Sequence, residues 1–123
     1  MGRFLDVEQC DASEMDVTLG NAKFTLTIAG SKSDAYIAAI TEARALSKRL
    51  AKRRNVETLS YEDQQQVVRL RAARCIVGWT GLKVPYSPAE AEALLEDYPT
   101  VVPMVISFSD ADENFIQTSG AAS

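Results

Sequence analysis

With 123 residues and a net charge of −4, this chain has the size of one domain and the wrong charge for a protein whose main partner is nucleic acid. It contains no histidine, which excludes the commonest general base and the commonest transition-metal ligand. No apolar run is long enough to span a membrane, and the opening MGRFLDVEQCDASEMD lacks the apolar core of a signal peptide. We therefore expect a soluble, intracellular protein.

The first predicted element is a β-hairpin over Met15 to Ile28. Apolar residues alternate with polar ones from Met15 to Leu19 and again from Phe24 to Ile28, on either side of Gly20-Asn21. Glycine supplies the positive φ that a tight turn between such strands requires. Residues 1–14 show no periodicity, and we interpret them as a flexible segment.

A long helix is predicted next, with Ser33 or Asp34 as its N-cap and an apolar stripe from Tyr36 to Leu50. Its last turns are cationic, where they favourably oppose the helix dipole. The cations that form this basic patch are Lys48, Arg49, Lys52, Arg53 and Arg54. The patch lacks neighbouring aromatic residues for stacking on bases, so we favour a solvated helix end over nucleic-acid binding. A docking patch for an acidic protein remains a second interpretation.

Two further helices have clear start signals. Ser60 precedes Asp63 at the spacing of a capping box, and the helix that follows is predicted to continue through Trp79 to a C-cap at Gly81. Ser87-Pro88, with Glu90 at the third helical position, starts a short helix that reaches about Tyr98.

Pro99 forces a break, after which Thr100 is the predicted cap of a fourth helix with apolar residues as far as Phe115. The tail TSGAAS, residues 118–123, is predicted to be flexible. The expected fold is thus α+β, mainly α: an N-terminal β-hairpin followed by a bundle of about four helices, forming a single domain over residues 15–117.

No pattern of catalytic or metal-binding residues stands out. Cys75 lies in an apolar run, which favours a buried structural thiol. Asp110 and Asp112 offer oxygen ligands, but DADEN lacks the Gly and the distal Glu of a calcium-binding loop. No serine or cysteine has a base at a recognisable spacing. We expect a protein that is not an enzyme and has no metal and no cofactor.

The stretch RCIVGWTGLKVPYSPAEAEALLEDYP, from Arg74 to Pro99, resembles the tail assembly chaperones of long-tailed, siphovirus-like bacteriophages. The resemblance extends upstream to the hairpin and downstream to DADENF. The residues that carry it are Ala73, Cys75, Ile76, Gly78, Trp79, Gly81, Leu82, Val84, Pro85, Tyr86, Ser87, Ala91, Leu94, Leu95, Tyr98, Pro99, Asn114 and Phe115. The loop after Leu82 is shorter than we expect for the family, with Lys83 leading directly to Val84-Pro85.

The resemblance implies a protein that binds the tape measure protein and helps to recruit tail tube subunits during tail morphogenesis. It would act in the host bacterial cytoplasm and be absent from the mature virion. The side chains we expect at a partner surface, or as family signature residues, are Trp79, Leu82, Val84, Tyr86, Leu95, Tyr98, Phe108 and Phe115. Self-association remains open.

The indole of Trp79 admits two interpretations. At the end of an apolar helix it is most simply a core residue, whose N–H then needs a carbonyl acceptor in the following loop. Alternatively, Trp79, Leu82 and Tyr86 form part of an exposed apolar groove. Two other functions also remain open: a structural virion component of the tail or neck, and, well behind it, a nucleic-acid-binding regulator that uses the basic patch.

Overall fold

Four α-helices, five strands and one short 3₁₀ helix make up residues 7–118, the part of the chain that the computed structural model describes. The elements are β1 (Val7–Gln9), β2 (Ala12–Leu19), β3 (Ala22–Ala29), α1 (Asp34–Arg54), α2 (Tyr61–Cys75), β4 (Ile76–Thr80), α3 (Pro88–Asp97), α4 (Val101–Asp110), the 3₁₀ helix (Asp112–Phe115) and β5 (Ile116–Thr118). The predicted α+β class, mainly α with a hairpin ahead of four helices, is confirmed.

The hairpin of β2 and β3 has the predicted turn but begins earlier. Val17 pairs with Phe24 in an antiparallel register, and Gly20 has a φ of 60° in the turn between them. The strand β2 starts at Ala12 instead of Met15, because Ala12 and Ser13 pair with the last residues of β3.

The sequence predicts no element before Met15, whereas residues 7–14 contain β1 and the start of β2. The strand β1 pairs antiparallel with β5, with Glu8 opposite Gln117. This pairing joins two distant parts of the chain, so local periodicity carries no signal for it. Of the segments predicted to be flexible, residues 1–6 and 119–123 lie outside the described residues.

The prediction that the second helix continues through Trp79 is wrong. The helix α2 ends at Cys75, and Ile76–Thr80 form β4, which pairs antiparallel with β3. Ile76, Val77 and Thr80 are β-branched and fit a pleated strand, and the open edge of β3 offers partners for their backbone groups. Gly81, expected as a helix C-cap, instead follows the strand with a φ of 89°.

The three-stranded sheet, in the order β2-β3-β4, has one apolar and one polar face. Glu14 and Asp16 lie opposite threonines of β3 on the outer face. The inner face contributes to a core that also takes in α2, α3 and α4. The largest fully buried side chains are Phe115, Leu26, Ile28, Ile76, Leu95, Val17, Val101 and Val105.

The helix α2 lies at the centre of the helical layer, in contact with α1, α3 and α4. At its start the Ser60 hydroxyl accepts a hydrogen bond from the Asp63 N–H at 3.2 Å, as predicted. The Asp63 carboxylate is buried and pairs with Arg54, which ties the end of α1 to the start of α2. No helix within residues 7–118 is both long and apolar enough to cross a membrane.

The helix α4 differs from the prediction at both ends. Thr100 makes no side-chain capping hydrogen bond, because its backbone already has a helical conformation. The helix ends at Asp110, and the chain tightens into the 3₁₀ helix that brings Phe115 into the core. Asp110 also accepts hydrogen bonds from the Tyr36 hydroxyl at 2.8 Å and from Arg71 at 2.9 Å, and so connects α4 with α1 and α2.

Candidate partner-binding groove

An apolar groove of about 650 Å³ opens between the hairpin, β4, the loop after it and α3. Leu19, Ala22 and Phe24 form the hairpin wall. Trp79 comes from β4, and Leu82 and Val84 come from the loop. The fourth wall is α3. The groove is mainly apolar and open to solvent, which suits a segment of another protein.

Trp79 is placed by the register of β4. It lies opposite Leu26 of β3 and therefore points to the same side of the sheet as the core. The indole Nε1–H donates to the carbonyl of Val84 at 2.9 Å, so its acceptor is in the following loop, as expected from the sequence. The side chain is half-buried and packs against the core while it also lines the groove. Trp79 is therefore both a neighbour of the core and a lining residue of the groove.

Tyr86 anchors the loop through contacts with two residues of β4. Its ring lies edge-on to Trp79, with ring centroids 5.3 Å apart and an interplanar angle of 86°. Its hydroxyl donates to the carbonyl of Ile76 at 2.7 Å. Burial raises the pKa of Tyr86 above its ordinary value of 10.0, an effect that Arg74 partly offsets. The neutral phenol therefore holds the loop against the first residue of β4.

The helix α3 presents different residues to the core and to the groove. The Ser87 hydroxyl accepts from the Glu90 N–H at 3.1 Å and starts the helix as predicted. Ala91 and Leu95 are fully buried in the core. Leu94 and Tyr98 line the groove, and Tyr98 is 50% exposed. The apolar surface of α3 thus extends beyond the residues that are buried in the core.

Four of the eight predicted partner or signature residues line the groove together: Trp79, Leu82, Val84 and Tyr98. Tyr86 packs behind them. Leu95 and Phe115 are core residues and present no surface to a partner in this conformation. Phe108 is half-buried and packs edge-on against Phe115, with ring centroids 5.6 Å apart.

Sequence reasoning missed the hairpin wall and Leu94. Leu19 and Ala22 flank the turn, where polar residues would be expected at an exposed tip. These apolar residues beside the turn are the signal that could have identified the wall. Its position next to α3 depends on the pairing of β3 with β4, which periodicity does not reveal.

The predicted basic patch lies on the exposed side of α1, and all five of its residues are exposed. Arg54 is engaged by Asp63, which leaves Lys48, Arg49, Lys52 and Arg53 without an ion pair among the described residues. None of these five residues lines the apolar groove.

Two observations on the described residues concern metal binding and cysteine reactivity. Within residues 7–118 no group of three or more His, Cys, Asp or Glu side chains is arranged to hold a metal ion. Cys75 is buried, and desolvation raises the pKa of its thiol above the ordinary value of 9.0, although the Ser109 hydroxyl and Arg71 act in the opposite direction. A thiol with a raised pKa is a poor nucleophile at neutral pH.

A family model described as YdaY prophage protein matches residues 30–122, which is most of the chain and includes β4, the loop and α3. The match begins after the hairpin, so it does not cover the wall formed by Leu19, Ala22 and Phe24. No curated protein and no solved structure matches the chain.

Proposed function

This chain belongs to the YdaY prophage protein family, and from that premise we propose that it is a phage tail assembly chaperone. In this role it binds the tape measure protein and helps to recruit tail tube subunits during tail morphogenesis. It acts in the host bacterial cytoplasm and leaves before the particle is complete. Membership of this family indicates that the protein is phage-derived. The role in tail assembly is our proposal.

One observation carries the proposal: Trp79, Leu82, Val84 and Tyr98 line one open apolar groove. All four belong to the stretch that resembles tail assembly chaperones. A tape measure protein has long amphipathic helices whose apolar stripes need to be covered until assembly. Grooves with aromatic and aliphatic walls bind such helices through residues at three- and four-residue spacing.

The contacts that hold Trp79 in place also support a binding role. Trp79 is fixed by its hydrogen bond to the loop and by the edge-on ring of Tyr86. A groove that is already formed loses less conformational entropy on binding than one that must be ordered by its partner. The net charge of −4 helps to keep a complex with an apolar chain soluble.

The test is co-expression of this chain with the tape measure and tail tube proteins encoded beside it, followed by affinity purification. We expect the tape measure protein to become soluble and to co-elute. Val84→Glu should abolish retention, because it places a charge in the apolar groove. Val56→Glu is the matched control: Val56 is 43% exposed and Val84 is 45% exposed, but only Val84 lines the groove.

Two results would count against the proposal. If Val84→Glu and Val56→Glu retained the tape measure protein equally, the groove would not be the binding surface. If nothing were retained and mass spectrometry found the protein in purified particles, it would be a structural component of the tail or neck.

A further inference from the structure

One face of α3 consists of residues that line the groove: Glu90, Ala93, Leu94, Asp97 and Tyr98. Their spacing of three, four, seven and eight residues places them on a single stripe of the helix. The apolar centre of the stripe is therefore bounded by a carboxylate near each end.

These two carboxylates have no cationic partner within the described residues. No ion pair there involves Glu90 or Asp97. By contrast, Glu92 on another side of α3 accepts a hydrogen bond from Arg74 at 2.7 Å. Glu90 and Asp97 are seven residues apart, which corresponds to about 10.5 Å along a helix axis.

Asp97 is at the unfavourable end of its helix. Negative charge is disfavoured in the last turn, where the helix dipole is negative, and α3 has no basic residue there to compensate. Asp110 has a similar position at the end of α4 but is paired with Arg71. A stabilising effect on α3 therefore does not explain an acidic residue at position 97. Glu90, in the first turn, is favoured by the dipole.

A different wall of the groove, the loop after β4, carries the opposite charge. Lys83, in the loop after β4, lines the groove and has no ion pair among residues 7–118. A segment lying in the groove would thus meet carboxylates on the α3 side and an ammonium group on the loop side. Such an arrangement distinguishes the two flanks of a helix and fixes its orientation.

We propose that the occupant of the groove is an amphipathic helix whose two flanks carry opposite charges. Its apolar stripe packs on Trp79, Leu82 and Leu94. Along the flank that faces α3 it carries Lys or Arg residues about seven positions apart, opposite Glu90 and Asp97. Its other flank carries an acidic residue opposite Lys83. This inference rests on the proposed function for the idea that the partner is helical, and it adds the charge pattern by which that helix is chosen.

The test uses two synthetic helical peptides that have the same leucine stripe. Their binding to the protein is measured by fluorescence anisotropy. One peptide has lysines on the flank that faces α3 and glutamates on the other, and the second has these charges exchanged. We expect the full chain to bind the first peptide about tenfold more tightly at low ionic strength, because the pairs with Glu90, Asp97 and Lys83 all change from attraction to repulsion in the second. The preference should diminish at high salt.

Asp97→Lys should weaken the preference, because one of the three charge pairs then favours the second peptide, and Glu96→Lys is the matched control, which should keep the preference. The two residues are neighbours in the last turn of α3, both are exposed, and both substitutions change the charge equally. Both also relieve the unfavourable dipole interaction, so both variants should fold. Only Asp97 lines the groove.

The outcomes separate this inference from the proposed function. Equal affinity of the unmodified chain for both peptides would overturn the charge pattern while leaving an apolar binding groove intact. An equal loss of preference in Asp97→Lys and Glu96→Lys would also overturn it, since overall charge and not position would then be responsible. If neither peptide bound and the tape measure protein was not retained in co-expression, the proposed function would fail as well.

Discussion

Two edge-on aromatic pairs, Trp79–Tyr86 and Phe108–Phe115, have almost the same geometry and very different surroundings. Their ring centroids are 5.3 Å and 5.6 Å apart, with interplanar angles of 86° and 78°. Phe115 is 1% exposed, whereas Trp79 is half-buried and lines an open groove. The same contact thus closes the core in one region and supports one side of an open groove in the other.

The difference arises from the contacts that hold each pair. The Cys10 N–H donates to the carbonyl of Phe115, and the Phe115 ring packs so closely on Gly30 that a Cβ there would be 2.7 Å from it. These contacts join distant parts of the chain. Trp79 is held by hydrogen bonding and ring contact with Val84 and Tyr86, within the next seven residues. The Phe115 ring is therefore fixed by long-range packing. The Trp79 ring is held by the loop that follows it, on a strand that depends on long-range pairing with β3.

The largest expected effect is that of Phe115→Ala. Removing a fully buried phenylalanine should lower the free energy of unfolding by about 3–5 kcal/mol, a large part of the stability of a typical domain. Chemical denaturation monitored by circular dichroism measures it. Phe108→Ala, at the half-buried partner ring, should cost clearly less. Equal losses would show that the two rings contribute alike and that Phe115 has no special role in closing the core.

Trp79→Ala should lower stability less than Phe115→Ala does, but it should have a strong effect on binding. We expect a loss of about 2 kcal/mol, below the value for a fully buried tryptophan, because part of the ring faces the groove. Retention of the tape measure protein in co-expression should be lost. Urea denaturation and affinity purification measure the two effects. If stability and retention both stayed unchanged, the role given to Trp79 would be wrong.

Tyr86→Phe keeps the ring and removes only the hydroxyl that donates to Ile76. The carbonyl of Ile76 then loses its donor, which should cost about 1 kcal/mol. Tyr98→Phe is the control, since Tyr98 is exposed and no side-chain hydrogen bond of its hydroxyl is present within residues 7–118. A loss in Tyr98→Phe as large as that in Tyr86→Phe would show that the loop is not anchored through this hydrogen bond.

The smallest effect is expected from alkaline pH. Burial raises the pKa of Cys75 in the core and of Tyr86 behind the groove. Because the folded state holds these protons more tightly than the unfolded chain, stability is full below the ordinary pKa values of 9.0 and 10.0. It should fall as the pH rises through the higher folded-state values.

Urea denaturation across the alkaline range measures this dependence. Cys75→Ala should remove the part of the fall that begins near the ordinary thiol pKa. Tyr86→Phe should reduce the part that begins near the ordinary phenol pKa, to which Tyr36, whose pKa burial also raises, contributes as well. With no histidine in the chain, stability should change little between about pH 5 and pH 8. A steep change there would contradict the expectation.

Local features were predictable from the sequence to a useful degree. The hydroxyls of Ser60 and Ser87 accept hydrogen bonds from backbone N–H groups at the starts of α2 and α3, as their spacing predicts. Ser33, one of two predicted caps of α1, does the same. Gly20 adopts the positive φ of the predicted turn. Each of these features depends on residues within one turn of chain, so the sequence pattern contains all the necessary information.

The candidate groove was predictable only in part. The residues of β4 and its loop could be identified from their sequence, but Ile76 to Trp79 were assigned to a helix. Short apolar runs fit a buried helix and a buried strand equally well, and the choice depends on whether another strand is available for pairing. The hairpin wall then follows from that pairing.

By itself, the sequence determined the α+β class, the turn at Gly20 and the starts of the first three helices, because neighbouring residues decide hairpins and helix caps. Only the tertiary structure decided that Ile76–Thr80 is a strand, that β1 pairs with β5, and that Phe115 is in the core while Tyr98 faces the groove. Those outcomes depend on contacts between residues far apart in the chain. Their burial and backbone hydrogen bonds outweigh local preference.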